Sequence, residues 1–206
     1  KSLKSTYKGE KTIETKGTLE NWCEFIKEEV IGHTPLEAAI AMGLSAVVVG
    51  YLDNKNTNIF HIYGDSTTGK TTAGELIVGL GTKPTMQEDG LMYSWNATIN
   101  ALIGRLRDNN GLLVLMDDCS VSRIKDFSTL IYQMEMGKDK DRMNKEGEMK
   151  ETQTWNTTII STGEKSLIDN SNQNDGIRVR LIEIGDVKWT KSAEHSDKIK
   201  QGAREN

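Results

Sequence analysis

The stretch Gly64-Asp65-Ser66-Thr67-Thr68-Gly69-Lys70-Thr71 spells G-x-x-x-x-G-K-[ST], and its flanks decide the fold. Before it, Asn58-Ile59-Phe60-His61-Ile62-Tyr63 is β-branched and aromatic and reads as a buried strand. After it, Thr71 to Leu80 can continue as a helix. Strand, glycine-rich turn and helix in that order make a phosphate-binding P-loop. The glycines let the backbone curl until its N–H groups point at phosphate, and the helix N-terminus adds a favourable dipole. In such a loop Lys70 reaches the β- and γ-phosphates and the Thr71 hydroxyl holds Mg²⁺. Gly64, Asp65, Ser66, Thr67, Thr68, Gly69 and Thr72 complete the wrap around the nucleotide. The ligands implied are ATP and Mg²⁺. A plain glycine-rich turn leaves the Lys70-Thr71 pair unexplained.

Hydrolysis needs a carboxylate on a neighbouring strand. The run Leu112-Leu113-Val114-Leu115-Met116 is apolar on both faces, as a central parallel strand is, and it feeds Asp117-Asp118. Asp117 is expected at the metal and Asp118 at the attacking water; an acidic helix cap is the rival reading. A further buried strand, Thr157 to Thr162, ends in Gly163-Glu164. If it lies between the P-loop strand and the acidic strand, Ser161 and Thr162 can sense the γ-phosphate; a Ser/Thr turn is the alternative. The segment Ile177 to Ile184 reads as one more strand, carrying Arg178 and Arg180 two residues apart and so on one face. These arginines either pair locally or, in a ring-forming ATPase, reach the γ-phosphate of the neighbouring subunit.

At 206 residues the chain fits one domain with a sizeable core. Residues 1–17 form a polar arm and residues 18–57 two helices. The first helix runs from Thr18 to about Val30. The second opens with Thr34 as N-cap, Pro35 at the first helical position and Glu37 closing a capping box. It is apolar to Leu52 and should pack deep, and Asp53 to Thr57 is a turn. Residues 58–186 alternate strands with helices, the latter over 96–107 and 128–136, with a short strand at Leu91-Met92-Tyr93. That alternation predicts an α/β three-layer sandwich around a parallel sheet. Residues 187–206 read as a frayed polar tail. Starting at Lys1 and ending in that tail, the chain reads as a fragment of a longer protein.

A net charge of −4 offers nucleic acid no global attraction, so any such contact needs a local patch. The candidate is Gly137 to Gly147, where Lys138, Lys140, Arg142 and Lys145 alternate with acids. By composition it is a solvated hairpin; between the acidic strand and the next it could be a finger making phosphate contacts. Cys23 and Cys119 lie far apart and form no ligand pattern, which with the P-loop suggests a reducing cytoplasm and packed thiols. No signal peptide is visible. The apolar run Ala38 to Leu52 is interrupted by Gly43, Ser45 and Gly50 and reads as a buried helix, so no membrane partner is expected.

Taken together, the chain resembles the AAA+ helicase-type ATPase domain of phage, plasmid and staphylococcal-cassette primase-helicase proteins, related to MCM and superfamily 3 helicases. The likeness runs from about Leu19 to Ile184. It rests on the P-loop, on Ser94-Trp95-Asn96-Ala97-Thr98-Ile99-Asn100-Ala101-Leu102, on the Met136-Gly137-Lys138 turn, and on Ser161-Thr162-Gly163-Glu164 and Val179-Arg180-Leu181-Ile182-Glu183-Ile184. Where superfamily 3 usually has asparagine on the sensor strand, this chain offers Ser161, Thr162 and Gly163. The resemblance implies a five-stranded parallel sheet in AAA+ order, and a replicative motor working as a homo-hexameric ring that moves single- or double-stranded DNA by hydrolysing ATP. It also implies Arg180 as first candidate for the arginine finger and Arg178 as second, with Lys138 or Lys140 on a pore hairpin. The rivals are an ATP-switched assembly or defence ATPase that does not unwind, and a P-loop phosphotransferase.

Overall fold

The computed structural model describes residues 6–9, 11, 13–52, 56–87, 90–141, 143, 151–169, 171 and 175–206. In chain order its elements are β1 (Thr6–Tyr7), α1 (Leu19–Glu29), α2 (Thr34–Leu52), β2 (Asn58–Tyr63), α3 (Lys70–Val78), β3 (Met92–Ser94), α4 (Ile99–Gly104) and β4 (Asn109–Asn110). They continue with β5 (Val114–Asp117), a 3-10 turn at Cys119–Val121, α5 (Ser128–Glu135), β6 (Thr158–Gly163), α6 (Asp175–Arg178), β7 (Leu181–Gly185) and α7 (Ala193–Glu205). Five strands form a sheet in the order β3-β5-β6-β2-β7, every neighbouring pair parallel, and β1 pairs with β4 in a separate antiparallel ribbon. This is the expected AAA+ order. The sensor strand β6 lies between the P-loop strand β2 and the acidic strand β5, the arrangement on which the sequence argument depended.

Side chains alternate across a strand, and that period sorts the core into two halves. Ile59, Val114, Met116 and Ile159 enter one cluster, with Trp95, Leu102, Leu130, Met134 and Trp155 from the α4 and α5 side. Ile62, Leu113, Leu115 and Ile160 enter the other, with Leu36, Ala46, Leu76, Ile77, Trp189 and Ile199 from the α2, α3 and α7 side. Helices therefore cover both faces of the sheet, which is why its central strands are apolar throughout.

Several elements differ from the sequence reading. Thr18 stands just outside α1 as its cap, accepting from the Asn21 N–H at 3.2 Å. Helix α2 instead begins at Thr34 itself. The His33 carbonyl accepts from the Leu36 and Glu37 N–H groups, and Glu37 turns its carboxylate to the Gly32 N–H at 2.9 Å, so the reciprocal box with Thr34 does not form. Helix α2 has 19 residues and is long and apolar enough to cross a membrane, longer than the run from Ala38 suggested. Leu36, Ala39, Met42, Ala46 and Val49 bury one side of it in the core, while Leu44, Val48 and Leu52 stay about half exposed or more; it is not buried all round. The turn expected at Asp53 to Thr57 falls partly outside the described residues.

The two ends of the core carry the larger corrections. The strand expected over 177–184 starts only at Leu181, because Asp175–Arg178 is a helical turn and Arg180 N–H closes back on the Ile177 carbonyl at 3.0 Å. Val179 is 79% exposed, so the alternation that suggested a strand there marks no buried face. The tail expected to fray over 187–206 contains α7, capped by the Ser192 hydroxyl on the His195 N–H at 3.1 Å. It packs on α1 and α3 through His195, Ile199 and Ala203. Arg204 pairs with the buried Glu75 of α3 at 2.9 Å; burial still holds the Glu75 carboxyl above the usual range.

Two tests follow from packing. Burial pushes the Cys119 thiol up to about 12, whereas Cys23 is exposed. At pH 8 iodoacetamide should label Cys23 in the native protein and Cys119 only after unfolding, read by peptide mass. At the tip of β6, a Cβ on Gly163 would overlap the Cys119 Sγ and stand 3.1 Å from the His61 Cε1. Gly163→Ala should therefore destabilise by about 1–3 kcal/mol, read as a lower Tm.

Candidate nucleotide site

Because the sheet is parallel, the C-terminal tips of β2, β5 and β6 share one edge, the place where ligands sit in open α/β sheets. The P-loop leaves β2 there. Gly64 has φ +140° and Gly69 φ +88°, both in the region that favours glycine. A Cβ on Gly69 would stand 2.7 Å from the Thr190 Oγ1, so the segment entering α7 lies directly against the loop. The Trp189 N–H binds the Thr68 carbonyl at 2.7 Å, tying the two together. Lys70 begins α3, and its Nζ donates to the Gly64 and Asp65 carbonyls at 2.9 and 2.7 Å.

Thr71 and Asp117 meet across the sheet: the hydroxyl donates to the carboxylate at 3.1 Å. The Thr162 hydroxyl donates to the same carboxylate oxygen at 2.6 Å and accepts from the Asp118 N–H at 2.8 Å. A hydroxyl and a carboxylate side by side are hard oxygen ligands of the kind Mg²⁺ takes when phosphates and water complete its shell. Among the described residues no three His, Cys, Asp or Glu side chains gather as a metal site. The chemistry therefore fits a cation brought in with a nucleotide, not one caged by protein alone.

A cleft of about 520 Å³ opens beside the loop, lined by Lys70, Thr71, Thr72, Lys188, Thr190 and Lys200 among others. That is the size range of small-ligand sites. Lys188 and Lys200 line the same cleft as Lys70, and even with Asp197 on that lining the balance of charge favours a polyanion although the chain is net acidic. The Thr72 and Ser196 hydroxyls share a hydrogen bond of 2.6 Å, which closes α7 over α3. Neither lysine was a sequence candidate. The available signal was Ser192 as a helix cap with His195, Ile199 and Ala203 recurring every four residues.

The sensor pair splits. Thr162 shares the face of Ile160 and reaches Asp117, whereas Ser161 shares the face of Ile159 and is fully buried away from the loop. Its hydroxyl meets the His61 Nδ1 at 2.9 Å and accepts from the Trp95 Nε1–H at 3.1 Å, so Ser161 belongs to the core. Burial lowers the His61 pKa, and the ring's other nitrogen meets the Lys165 carbonyl at 2.9 Å. Asp118 is also turned from its expected place. Its backbone is left-handed at φ +56°, and its carboxylate accepts from the Ser120 N–H at 3.1 Å, capping the 3-10 turn. The helix-cap rival describes it better.

The arginines precede β7 and so lie at the sheet's opposite edge. Arg180 is engaged locally: it pairs with Glu135 at 3.2 Å, donates to the Gly176 carbonyl at 2.8 Å, and lies 4.6 Å from the Tyr132 ring centroid. Arg178 is exposed and has no polar partner among the described residues. In the charged excursion, the Gly137 carbonyl accepts from the Trp155 N–H and Lys138 bridges Thr154, so its base is a paired hairpin. Lys138 pairs with Asp141 at 3.3 Å and Lys140 is exposed. Arg142 and Lys145 lie outside the described residues.

Residues 2–154 match the family described as a domain of unknown function, DUF927. Among solved structures, one titled "SCCmec type IV Cch - active helicase" is 36% identical over 95% of this chain, with a TM-score of 0.82. JCV helicase with a bound acetamide compound is 14% identical over 91% of the chain at TM-score 0.52, and the S. cerevisiae Hsp104-ADP complex is 14% identical over 86% at 0.50; these two share the fold alone. This chain spans 36%, 53% and 37% of those three chains, respectively. No curated protein matches it. The chain belongs to the DUF927 family and has an AAA+ helicase-type fold, similar over 95% of its length to the SCCmec helicase structure.

Proposed function

We propose that this chain is the ATP-hydrolysing motor domain of a replicative DNA helicase from a mobile genetic element, working in the cytoplasm as a ring of six copies. One observation carries the reading: Thr71 of the P-loop and Asp117 of the neighbouring strand meet at 3.1 Å, with Lys70 at the mouth of the same cleft. Likeness to a solved structure titled an active helicase supports the choice of motor over phosphotransferase.

Lys70 leaves its two loop carbonyls for the β- and γ-phosphates as the nucleotide enters, exchanging neutral acceptors for charged ones. The loop N–H groups and the start of α3 face the same phosphates. Lys188 and Lys200 would hold the polyphosphate from the α7 side, and Thr71 with Asp117 would hold Mg²⁺. When bound, Mg²⁺ neutralises charge developing on the phosphate oxygens. Thr162 keeps Asp117 aimed, and through the Asp118 N–H it reports the state of that carboxylate to the next loop.

The site is completed from outside. Arg178 lies beyond the N-terminal end of β7, roughly 20 Å of strand from the P-loop edge. It is too far to serve its own copy and is exposed enough to serve another. In a ring it stabilises transition-state charge at the neighbour's γ-phosphate, and the hairpin carrying Lys138 and Lys140 faces DNA phosphates in the pore.

Lys70→Ala should abolish ATPase activity while leaving the circular dichroism spectrum and Tm unchanged; normal turnover would contradict the mechanism. Single-stranded DNA should raise the ATPase rate of the parent, and Lys138→Glu with Lys140→Glu should remove that stimulation and keep the basal rate. Stimulation that survives charge reversal would move the DNA contact elsewhere, and none in the parent would favour the assembly ATPase. Arg178→Ala should lower turnover by about 10³-fold or more in the assembled protein, as loss of an arginine finger does. Mixing it with Lys70→Ala subunits should restore partial activity at junctions where an intact P-loop faces an intact Arg178.

A further inference from the structure

Asp118 was the expected holder of the attacking water, and the fold spends its carboxylate elsewhere. Another carboxylate stands at the site. Glu164 follows the last residue of β6, between the tips of β2 and β5, and its Oε1 accepts from the Ser66 hydroxyl of the P-loop at 2.7 Å. Ser66 directly follows Gly64 and Asp65, whose carbonyls hold the Lys70 ammonium. The carboxylate thus sits against the P-loop itself, at Ser66. It is exposed to solvent, and its second oxygen has no partner among the described residues.

The residues around Asp118 explain how Glu164 is held. The Asp118 carboxylate caps the Ser120 N–H at 3.1 Å, and the Ser120 hydroxyl in turn accepts from the Glu164 N–H at 3.2 Å. The left-handed Asp118 backbone and its 3-10 turn therefore form a bracket. One end is fixed to Asp117 through Thr162, the other to the backbone of Glu164. Ser66 fixes the side chain from the opposite side.

We propose that Glu164 is the catalytic carboxylate for ATP hydrolysis and that Asp118 is a positioning residue acting on it through Ser120. The proposal rests on the hydrolytic reading above. When ATP occupies the loop, Ser66 is drawn to phosphate and Glu164 accepts a hydrogen bond from a water in line with the Pγ–O bond to the leaving ADP. The water oxygen bonds to Pγ, and the Pγ–O bond breaks with its electron pair passing to the ADP oxygen. The water proton moves to the Glu164 carboxylate and from there to solvent, leaving ADP and inorganic phosphate.

The test compares E164Q, D118N and S120A in the assembled full chain, with kcat and KM from ATPase assays and Kd for Mg-ATP from a fluorescent ATP analogue. E164Q should lose about 100-fold or more in kcat, the usual contribution of a placed base, with Kd within about threefold of the parent. It should also lose the acidic limb of the kcat–pH profile. D118N and S120A should both lose about tenfold or less and keep that limb, as residues acting at one remove do. E164Q turnover within tenfold of the parent, or a loss in D118N equal to or larger than in E164Q, overturns the assignment. A parent that binds Mg-ATP and never turns it over contradicts the hydrolytic reading itself, an outcome distinct from E164Q insensitivity.

Discussion

The Asp117 carboxylate holds this site together. It lies at the end of a strand whose other residues are wholly apolar, it is 8% exposed, and it receives hydroxyls from two different elements, Thr71 at the start of α3 and Thr162 near the end of β6. A buried carboxylate is costly unless hydrogen-bonded, so these two donors are a condition of the fold as well as of the chemistry. The strand order follows from the same constraint. Only with β6 between β2 and β5 can Thr162 reach Asp117 while β2 aims the P-loop across its tip.

From that contact the rest is placed outward. Thr162 joins Asp117 to the Asp118 turn, the turn joins Glu164, and Glu164 returns to the P-loop at Ser66. Each member of this ring of contacts is short-range and polar, at the edge of a sheet whose interior is apolar. On its other side the loop is pressed by Trp189 and Thr190, and α7 closes the cleft. Residues from both ends of the core thus line one cleft.

The P-loop and the acidic strand were legible because each is written in contiguous residues: a fixed spacing of glycines with Lys70 and Thr71, and an apolar run ending in a carboxylate; the strand order came only through the family resemblance. What was not legible depended on direction or on distant partners. Ser161 and Thr162 are adjacent letters, and only the pleat decides that one faces Trp95 and the other Asp117. The Asp118 carboxylate turns to the Ser120 N–H because its backbone is left-handed, a state no neighbouring glycine announces. Arg178 and Arg180 alternate as a strand would, yet Tyr132 and Glu135 on α5 claim one of them. Helix α7 has Ile199 as its only large buried aliphatic residue, so its face is too thin to read as helical before Glu75 supplies a partner for Arg204.

Nucleotide affinity with and without Mg²⁺ tests the central contact most directly. A nonhydrolysable ATP analogue, titrated into the parent and into Asp117→Ala in Mg²⁺ and then in EDTA, reads the metal's contribution separately from turnover. The account predicts that Mg²⁺ tightens binding to the parent and that this gain disappears in Asp117→Ala while the weaker affinity in EDTA remains. Equal affinity in Mg²⁺ and EDTA for the parent, or an undiminished Mg²⁺ gain in the variant, would contradict it.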